Sequence, residues 1–163
     1  MTAAPAALAS AVTEGQTAPD FTMPTDGGGS VTLLALRGKP VVLYFYPKDD
    51  TSGCTKEACE FGERLPDFGK VDATIIGVSK DSVKSHDKFK AKYNLPFILG
   101  SDETTGVAEA YGVWIEKSMY GRKYMGIDRS TFLIDKDGVV RKVWRKVSVP
   151  GHVEEVLKAV QGL

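Results

Sequence analysis

The sequence predicts a single α/β domain built around a sheet with parallel strands, and three observations lead to that prediction. Two continuous apolar runs, residues 41–46 and 73–79, have the length and the β-branched content of buried strands. A helical pattern follows each run, and strands that alternate with helices form parallel pairs through right-handed crossovers. With 163 residues, 42% of them hydrophobic, the chain can bury one core of its own.

Composition argues against several classes of function. The 21 basic and 21 acidic residues give a formal net charge of zero, so neither nucleic acid nor a membrane surface is expected as a partner. Two cysteines and two histidines are too few for a disulfide framework or a structural zinc site. The Ala-rich start lacks the basic residues of an export signal. We expect a flexible tail over 1–14, one domain over 15–163 and a cytoplasmic location.

The first elements of the chain are short and lead to the central strand. Residues 19–23 and 30–34 are predicted to pair as an N-terminal hairpin around a glycine-rich turn. The strand at 41–46 stops at Pro47, and a polar turn leads into a helix predicted over 54–68.

The middle of the chain continues the alternation. After the second apolar strand, Asp81 can cap a helix that runs to Tyr93. A short strand over 97–99 comes next, and a brief helix starts at 101–102. Residues 113–127 are expected to be irregular, either as an edge ribbon that covers the sheet or as an apolar wall beside a binding pocket.

The end of the chain gives the clearest local signal. An Asp-Gly turn between the apolar runs 130–134 and 139–144 predicts an antiparallel hairpin. An amphipathic helix follows with His152 in its first turn, where a capping or surface position is expected. His86, on the earlier helix, is expected to be packed or at a rim rather than a ligand. A central mixed sheet flanked by helices, with an N-terminal hairpin, is typical of a thioredoxin-like fold.

Cys54 occupies the position where chemistry is most expected. It lies in the first turn of the helix after the central strand, four residues before Ala58 on the inward face. Unpaired backbone N–H groups and the helix dipole favour a thiolate there. A buried cysteine is also an ordinary small hydrophobe, and Thr51 can cap the helix through the Cys54 amide. Position alone leaves both interpretations open.

Pro47, Thr51 and Cys54 form the pattern P-x-x-x-T-x-x-C, which resembles the active-site signature of peroxiredoxins, the cofactor-free thiol peroxidases. Cys59, five residues after Cys54, and the run DRSTFLID at 128–135 are similar to the Q-type subfamily, also called bacterioferritin comigratory proteins. The resemblance covers nearly the whole chain and implies the peroxiredoxin type of thioredoxin-like fold.

The resemblance also implies a role for each matching residue. Cys54 would be the peroxidatic nucleophile that attacks hydrogen peroxide or an organic hydroperoxide. Thr51 and Arg129 would hold the sulfur and the peroxide, and Pro47 would shield the pocket. Cys59 would resolve the sulfenic acid as an intrachain disulfide, which a dithiol such as thioredoxin would reduce. No metal or other cofactor is implied, and a monomer is expected because the disulfide forms within one chain.

Ionisation of the thiol alone is too small an effect to make a fast peroxidase. A free thiol is about 3% ionised at pH 7, so complete ionisation gains only about 30-fold in rate. The site must therefore stabilise charge on the leaving oxygen, and Arg129 and the amides at the helix start are the candidate donors. An arginine at the start of an apolar strand is otherwise an ordinary surface residue, so its role depends on the pattern around Cys54.

The spacing of the cysteines predicts a conformational change. On a regular helix, positions five apart have Cα atoms about 8.7 Å from each other. This exceeds the ~7 Å limit for a disulfide, so the turn that carries Cys54 and Cys59 must unwind. Two other functions remain open at this point. A redox sensor could use the same switch, whereas a thiol–disulfide oxidoreductase usually carries C-x-x-C, which this sequence lacks.

Overall fold

Alternating apolar runs and helical patterns assemble into a layered α/β structure in the computed structural model, which describes residues 12–163. The elements in chain order are β1 (Thr22–Pro24), β2 (Ser30–Thr32), β3 (Val41–Phe45), α1 (Ser52–Glu63), α2 (Leu65–Gly69), β4 (Thr74–Ser79), α3 (Val83–Tyr93), β5 (Ile98–Ser101), α4 (Gly106–Ala110), β6 (Trp114–Met119), β7 (Arg122–Ile127), β8 (Ser130–Ile134), β9 (Val140–Trp144) and α5 (His152–Gln161).

The start of the chain is only partly described. Of the flexible tail expected over 1–14, residues 1–11 lie outside the described residues. Val12 is buried, and its carbonyl accepts a hydrogen bond from Arg145 Nη2 at 3.0 Å. The chain is therefore attached to the domain from this residue onward.

The central sheet is mixed, as predicted, with the strand order β5-β4-β3-β8-β9. Strand β3 pairs in parallel with β4, and β4 in parallel with β5. On its other side β3 pairs antiparallel with β8, which pairs antiparallel with β9. All five residues of β3 are buried, which explains why its sequence is a continuous apolar run rather than an alternating one.

The two faces of β3 contact two separate hydrophobic clusters. Val42 and Tyr44 belong to the cluster that α1, α2, α3 and α5 cover. Leu43 and Phe45 belong to the other cluster, which the N-terminal segment and α4 cover. Side chains alternate between the faces along a strand, so both faces of the central strand must be apolar. Cys54 belongs to the first cluster, so the site lies on the side of the four helices.

The helix predicted over 54–68 is two helices and begins two residues earlier. Helix α1 ends at Glu63, and α2 starts at Leu65. Pro66 has no N–H and restricts the residue before it, so it fits the first turn of a new helix and cannot continue α1. Likewise Ser82, rather than Asp81, caps α3, because its hydroxyl oxygen accepts the amide of Ser85 at 3.1 Å.

The segment predicted to be irregular, 113–127, is a β-hairpin. Strands β6 and β7 pair antiparallel over six residue pairs and form a ribbon separate from the central sheet. Tyr120 and Gly121 at the turn have φ angles of 51° and 79°, and two successive positive values match the right-handed twist of hairpin strands. The sequence signal was therefore the Tyr-Gly pair, which lacks the usual Asn or Asp.

His152 is not a surface or capping residue as expected. It is 5% exposed, and its Nε2 lies 2.8 Å from the hydroxyl of Thr131 on β8. Its ring packs edge-to-face against Trp144 and Phe61. Burial lowers the pKa of His152 to about 4, so it is a neutral core residue at pH 7. His86 is fully buried, which confirms that it is packed.

Replacing Tyr44 with phenylalanine should stabilise the protein. Tyr44 is fully buried and stacks on Phe61 at 4.7 Å, but its hydroxyl has no hydrogen-bond partner among residues 12–163. A buried hydroxyl without a partner costs about 1–3 kcal/mol. Tyr44→Phe should therefore raise the free energy of unfolding by about 1 kcal/mol in urea denaturation.

Tyr46 in the same strand provides the matched control. Its hydroxyl donates to Asp49 Oδ1 at 2.6 Å, so Tyr46→Phe should lower the free energy of unfolding. Equal losses of stability for the two variants would contradict the assignment of an unpaired hydroxyl at Tyr44.

Candidate active site

Cys54 and Arg129 meet because two neighbouring strands bring their ends together. Phe45 at the end of β3 pairs with Ser130 at the start of β8. The chain that leaves β3 reaches Cys54, the third residue of α1, and the residue just before β8 is Arg129. Arg129 Nη2 donates a hydrogen bond to Cys54 Sγ at 3.2 Å, although the two residues are 75 positions apart. The predicted contact between guanidinium and sulfur is present.

The close approach of Arg129 depends on the glycine before the cysteine. A Cβ atom at Gly53 would lie 3.2 Å from Arg129 Nη2, closer than most carbon contacts. A side chain at this position would therefore require the guanidinium to shift by a few tenths of an ångström. This contact gives a physical reason for glycine at this position.

Glu57 is a third member of the site that the sequence analysis missed. It is fully buried, and its Oε1 accepts a hydrogen bond from Arg129 Nη1 at 2.6 Å. Its second oxygen has no partner among the described residues. Glu57 lies three positions after Cys54, on the same inward face of α1. An acidic residue in the apolar stripe of that helix was the available signal.

The charges of the site influence one another strongly. Burial raises the pKa of Glu57 to about 7, although the Arg129 guanidinium acts in the opposite direction. Burial by itself would lower the pKa of Arg129, but Glu57 and Cys54 raise it above its ordinary value. The guanidinium therefore stays protonated, with one N–H directed at a carboxylate oxygen and another at the sulfur.

Thr51 occupies the predicted position before α1 but makes a different hydrogen bond. Its side chain does not cap the helix; the hydroxyl donates to the carbonyl of Lys48 at 2.8 Å. The left-handed Asp50, with φ of 58°, turns the chain so that this carbonyl lies close to the hydroxyl. Capping by Thr51 was therefore a wrong prediction. Pro47 follows the end of β3 and is half-buried, and its shielding role stays a prediction.

Cys59 lies in the middle of α1 and is partly buried against the same cluster as Cys54. Both thiols are free, and α1 is continuous between them. Burial, with the nearby acidic groups of Glu63 and Glu60, raises the pKa of Cys59. This structure therefore corresponds to a dithiol state with an intact helix.

Residues 12–163 lack the side-chain groupings of a metal site and the helices of a membrane span. In this part of the chain no group of three or more His, Cys, Asp or Glu side chains is arranged to hold a metal ion. Within the same range no helix combines the length and apolarity that crossing a bilayer requires.

Comparisons with known proteins show similarity over most of the chain. The family model described as the AhpC/TSA family matches residues 14–143. The chain is 52% identical over 149 residues to peroxiredoxin Bcp of Bacillus subtilis, which covers 91% of this chain and 95% of that protein. It is 43% identical over 153 residues to the chloroplastic peroxiredoxin Q of Sedum lineare, which covers 93% of this chain and 80% of that protein.

A solved structure of similar fold is the bacterioferritin comigratory protein of Xanthomonas campestris, described with an alkyl peroxide reduction activity. It superimposes with a TM-score of 0.84 at 47% identity, covering 87% of this chain and 90% of that chain. The similarity therefore extends over almost the entire domain and includes the segment that holds both cysteines.

Replacing Glu57 with glutamine should change how stability depends on pH. The folded-state pKa of about 7 exceeds the ordinary value of 4.5, so the folded protein retains a proton that the unfolded chain releases. The stabilisation from that proton is complete below pH 4.5 and is lost as the pH rises through 7. Between pH 4 and pH 8, the free energy of unfolding of the wild type should therefore fall by about 3 kcal/mol relative to that of Glu57→Gln.

The measurement is urea unfolding of both proteins at several pH values. Other titrating groups are common to the two proteins and cancel in the difference. Parallel stability profiles would show that Glu57 titrates as an ordinary surface carboxyl.

Proposed function

The chain belongs to the AhpC/TSA family and is a peroxiredoxin of the Q type, a thiol peroxidase, and on that premise we propose that its cycle runs through Cys54 and Cys59. The observation that carries the proposal is the 3.2 Å hydrogen bond from Arg129 to the Cys54 sulfur. It gives a cysteine at a helix start a cationic partner of the kind that peroxide reduction requires.

In the first step the Cys54 thiolate attacks one oxygen of the hydroperoxide. A sulfur–oxygen bond forms as the oxygen–oxygen bond breaks, and the sulfur is oxidised by two electrons to sulfenic acid. The other oxygen leaves with the electron pair and takes up a proton to become water or an alcohol. The charge that develops on it is what the site must stabilise.

Two residues are proposed to hold the peroxide. Glu57 fixes the Arg129 guanidinium. The guanidinium can therefore stabilise the developing charge without reorienting. The proton of the Thr51 hydroxyl is used by the Lys48 carbonyl, which leaves its oxygen free to accept the O–H of the hydroperoxide. Pro47, next to this loop, would limit the access of water.

In the second step Cys59 attacks the sulfenic acid of Cys54. The sulfur–sulfur bond forms, the sulfur–oxygen bond breaks, and water leaves. Because Cys59 is five residues, about 1.4 turns, from Cys54 on a continuous α1, the helix must unwind between them. A dithiol protein of the thioredoxin type would then reduce the disulfide. The bond forms within one chain, so we propose that a monomer is sufficient.

Replacing Arg129 with lysine should lower the rate at which peroxide oxidises Cys54. A lysine keeps the charge but cannot donate to Cys54 and Glu57 at once in the fixed geometry of a guanidinium. Loss of one positioned donor typically costs about 10²–10³ in rate. The measurement is stopped-flow oxidation of the reduced protein by hydrogen peroxide.

Arg141→Lys is the matched control for this substitution. Arg141 is an exposed residue of β9 and pairs with Asp135 at 3.3 Å. The Arg141→Lys variant should react with hydrogen peroxide at the wild-type rate. An Arg129→Lys variant that also keeps the wild-type rate would remove Arg129 from the reaction.

Mass spectrometry after one equivalent of hydrogen peroxide should separate the two steps. The wild type should lose about 2 Da as the disulfide forms, whereas Cys59→Ser should gain about 16 Da as the sulfenic acid accumulates. Cys54→Ser provides the control and should keep its mass. A wild type that accumulates the sulfenic acid as Cys59→Ser does would assign resolution to an external thiol.

A further inference from the structure

The loop that leads to Cys54 is anchored by a buried carboxylate that touches neither cysteine. Asp49 is 8% exposed and accepts hydrogen bonds from three side chains. The donors are the Tyr46 hydroxyl at 2.6 Å, the Ser85 hydroxyl at 2.7 Å and His86 Nδ1 at 2.7 Å. Ser85 and His86 belong to α3, so the carboxylate ties the loop to that helix. A buried carboxylate with this many donors holds a defined position.

His86 makes this anchor an ion pair. The imidazole is fully buried, and each of its nitrogens faces an acceptor. Nδ1 lies against Asp49 Oδ2, and Nε2 lies 2.9 Å from the Gly100 carbonyl. A neutral imidazole donates through one nitrogen only, so both hydrogen bonds require the protonated ring. Burial opposes the charge, but Asp49 and Asp81 outweigh it and raise the pKa of His86.

Further hydrogen bonds attach the loop to the same region of the protein. The Asp49 amide donates to Asp81 Oδ2 at 2.9 Å, and the Ser79 hydroxyl donates to the same oxygen at 2.6 Å. Asp50 accepts from Lys92 Nζ at 2.8 Å and from the Tyr93 hydroxyl at 2.6 Å, both on α3. The side chains that fix this loop therefore come from α3 and from the segment between β4 and α3 rather than from α1.

The connection between the loop and α1 is much weaker. The Thr51 hydroxyl bonds backward to Lys48 and makes no capping bond to α1. One backbone hydrogen bond, from the Thr55 amide to the Thr51 carbonyl at 2.8 Å, joins the loop to the first turn. The first turn of α1 can consequently unwind at Ser52 and Gly53 without disturbing the loop.

We propose that Asp49 and His86 are positioning residues whose buried ion pair keeps Pro47 and Thr51 in place while α1 unwinds and re-forms. The inference rests on the Cys54–Cys59 cycle proposed above. In each turnover Cys54 leaves the pocket to bond with Cys59. The other half of the peroxide site stays assembled, so it is ready when reduction returns Cys54 to Arg129.

Substitution of Asp49 tests the positioning role against a matched control. Asp49→Asn removes the charge that holds His86, and a misplacement of about 1 Å at a reacting centre costs about 100-fold. We expect the rate of Cys54 oxidation by hydrogen peroxide to fall about 10- to 100-fold. The rate of subsequent disulfide formation should stay within about twofold of the wild type, because α1 itself is unchanged.

Asp102→Asn is the control for loss of a buried carboxylate. Asp102 is 4% exposed and accepts the amides of Val107 and Ala108 at 3.1 and 2.8 Å on the opposite face of the sheet. The Asp102→Asn variant should have a lower free energy of unfolding in urea. Hydrogen peroxide should oxidise its Cys54 at the wild-type rate. The positioning role is overturned if Asp49→Asn keeps the wild-type oxidation rate, or if Asp102→Asn loses as much of it.

Amide hydrogen exchange on the wild type gives a second test that needs no variant. In the disulfide form, made with one equivalent of hydrogen peroxide, the Asp49 amide should stay protected by Asp81. The Thr55 amide should exchange at least about tenfold faster than in the reduced form. A disulfide form in which both amides lose protection together overturns the positioning role and leaves the cycle intact. Failure to form the disulfide at all overturns both.

Discussion

The Arg129 guanidinium, placed between the Cys54 sulfur and the Glu57 carboxylate, is the interaction on which the rest of the site depends. The guanidinium is mostly buried, so it needs acceptors on more than one of its nitrogens. Glu57 supplies one acceptor permanently, which fixes the plane of the guanidinium. The other edge is then directed at the sulfur. In the proposed cycle, one preorganised group would activate the nucleophile and stabilise the leaving oxygen.

This arrangement explains features of the fold that lie far from the chemistry. The antiparallel pairing of β3 with β8 brings the end of one strand beside the start of the other, which sets the position of Arg129 relative to α1. Apolar clusters cover both faces of the sheet, so the site forms in a region of low dielectric. Gly53 then allows the guanidinium to approach without the small shift that a side chain would require.

The proposed cycle requires a rigid part of the site and a part that moves. The loop that holds Pro47 and Thr51 is anchored to α3 through buried groups, whereas α1 carries both cysteines and must unwind for them to bond. Helix α1 is a single element of twelve residues that ends where α2 begins, so unwinding can stay local. In the proposed cycle, an unwinding helix beside an anchored loop would separate the step that needs precise geometry from the step that needs a rearrangement.

The sequence by itself determined what depends on local patterns. Apolar runs and helical periodicity located the strands of the central sheet and the helices, and the Asp-Gly turn located the hairpin of β8 and β9. The pattern around Pro47, Thr51 and Cys54, through its resemblance to a family, indicated the thiol chemistry and Arg129. These features involve residues close in sequence or a recognisable signature, so they can be read without knowing which elements meet.

Only the tertiary structure decided the contacts between elements distant in sequence. Glu57 is unexpected in an apolar helix face until Arg129, which precedes β8, is placed against it. His152 looks like a surface residue until Trp144 and Phe61 close around it. Burial and hydrogen-bond partners are properties of the assembled layers. The charge state of a side chain follows from them, and neither periodicity nor composition specifies which side chains face each other across a sheet.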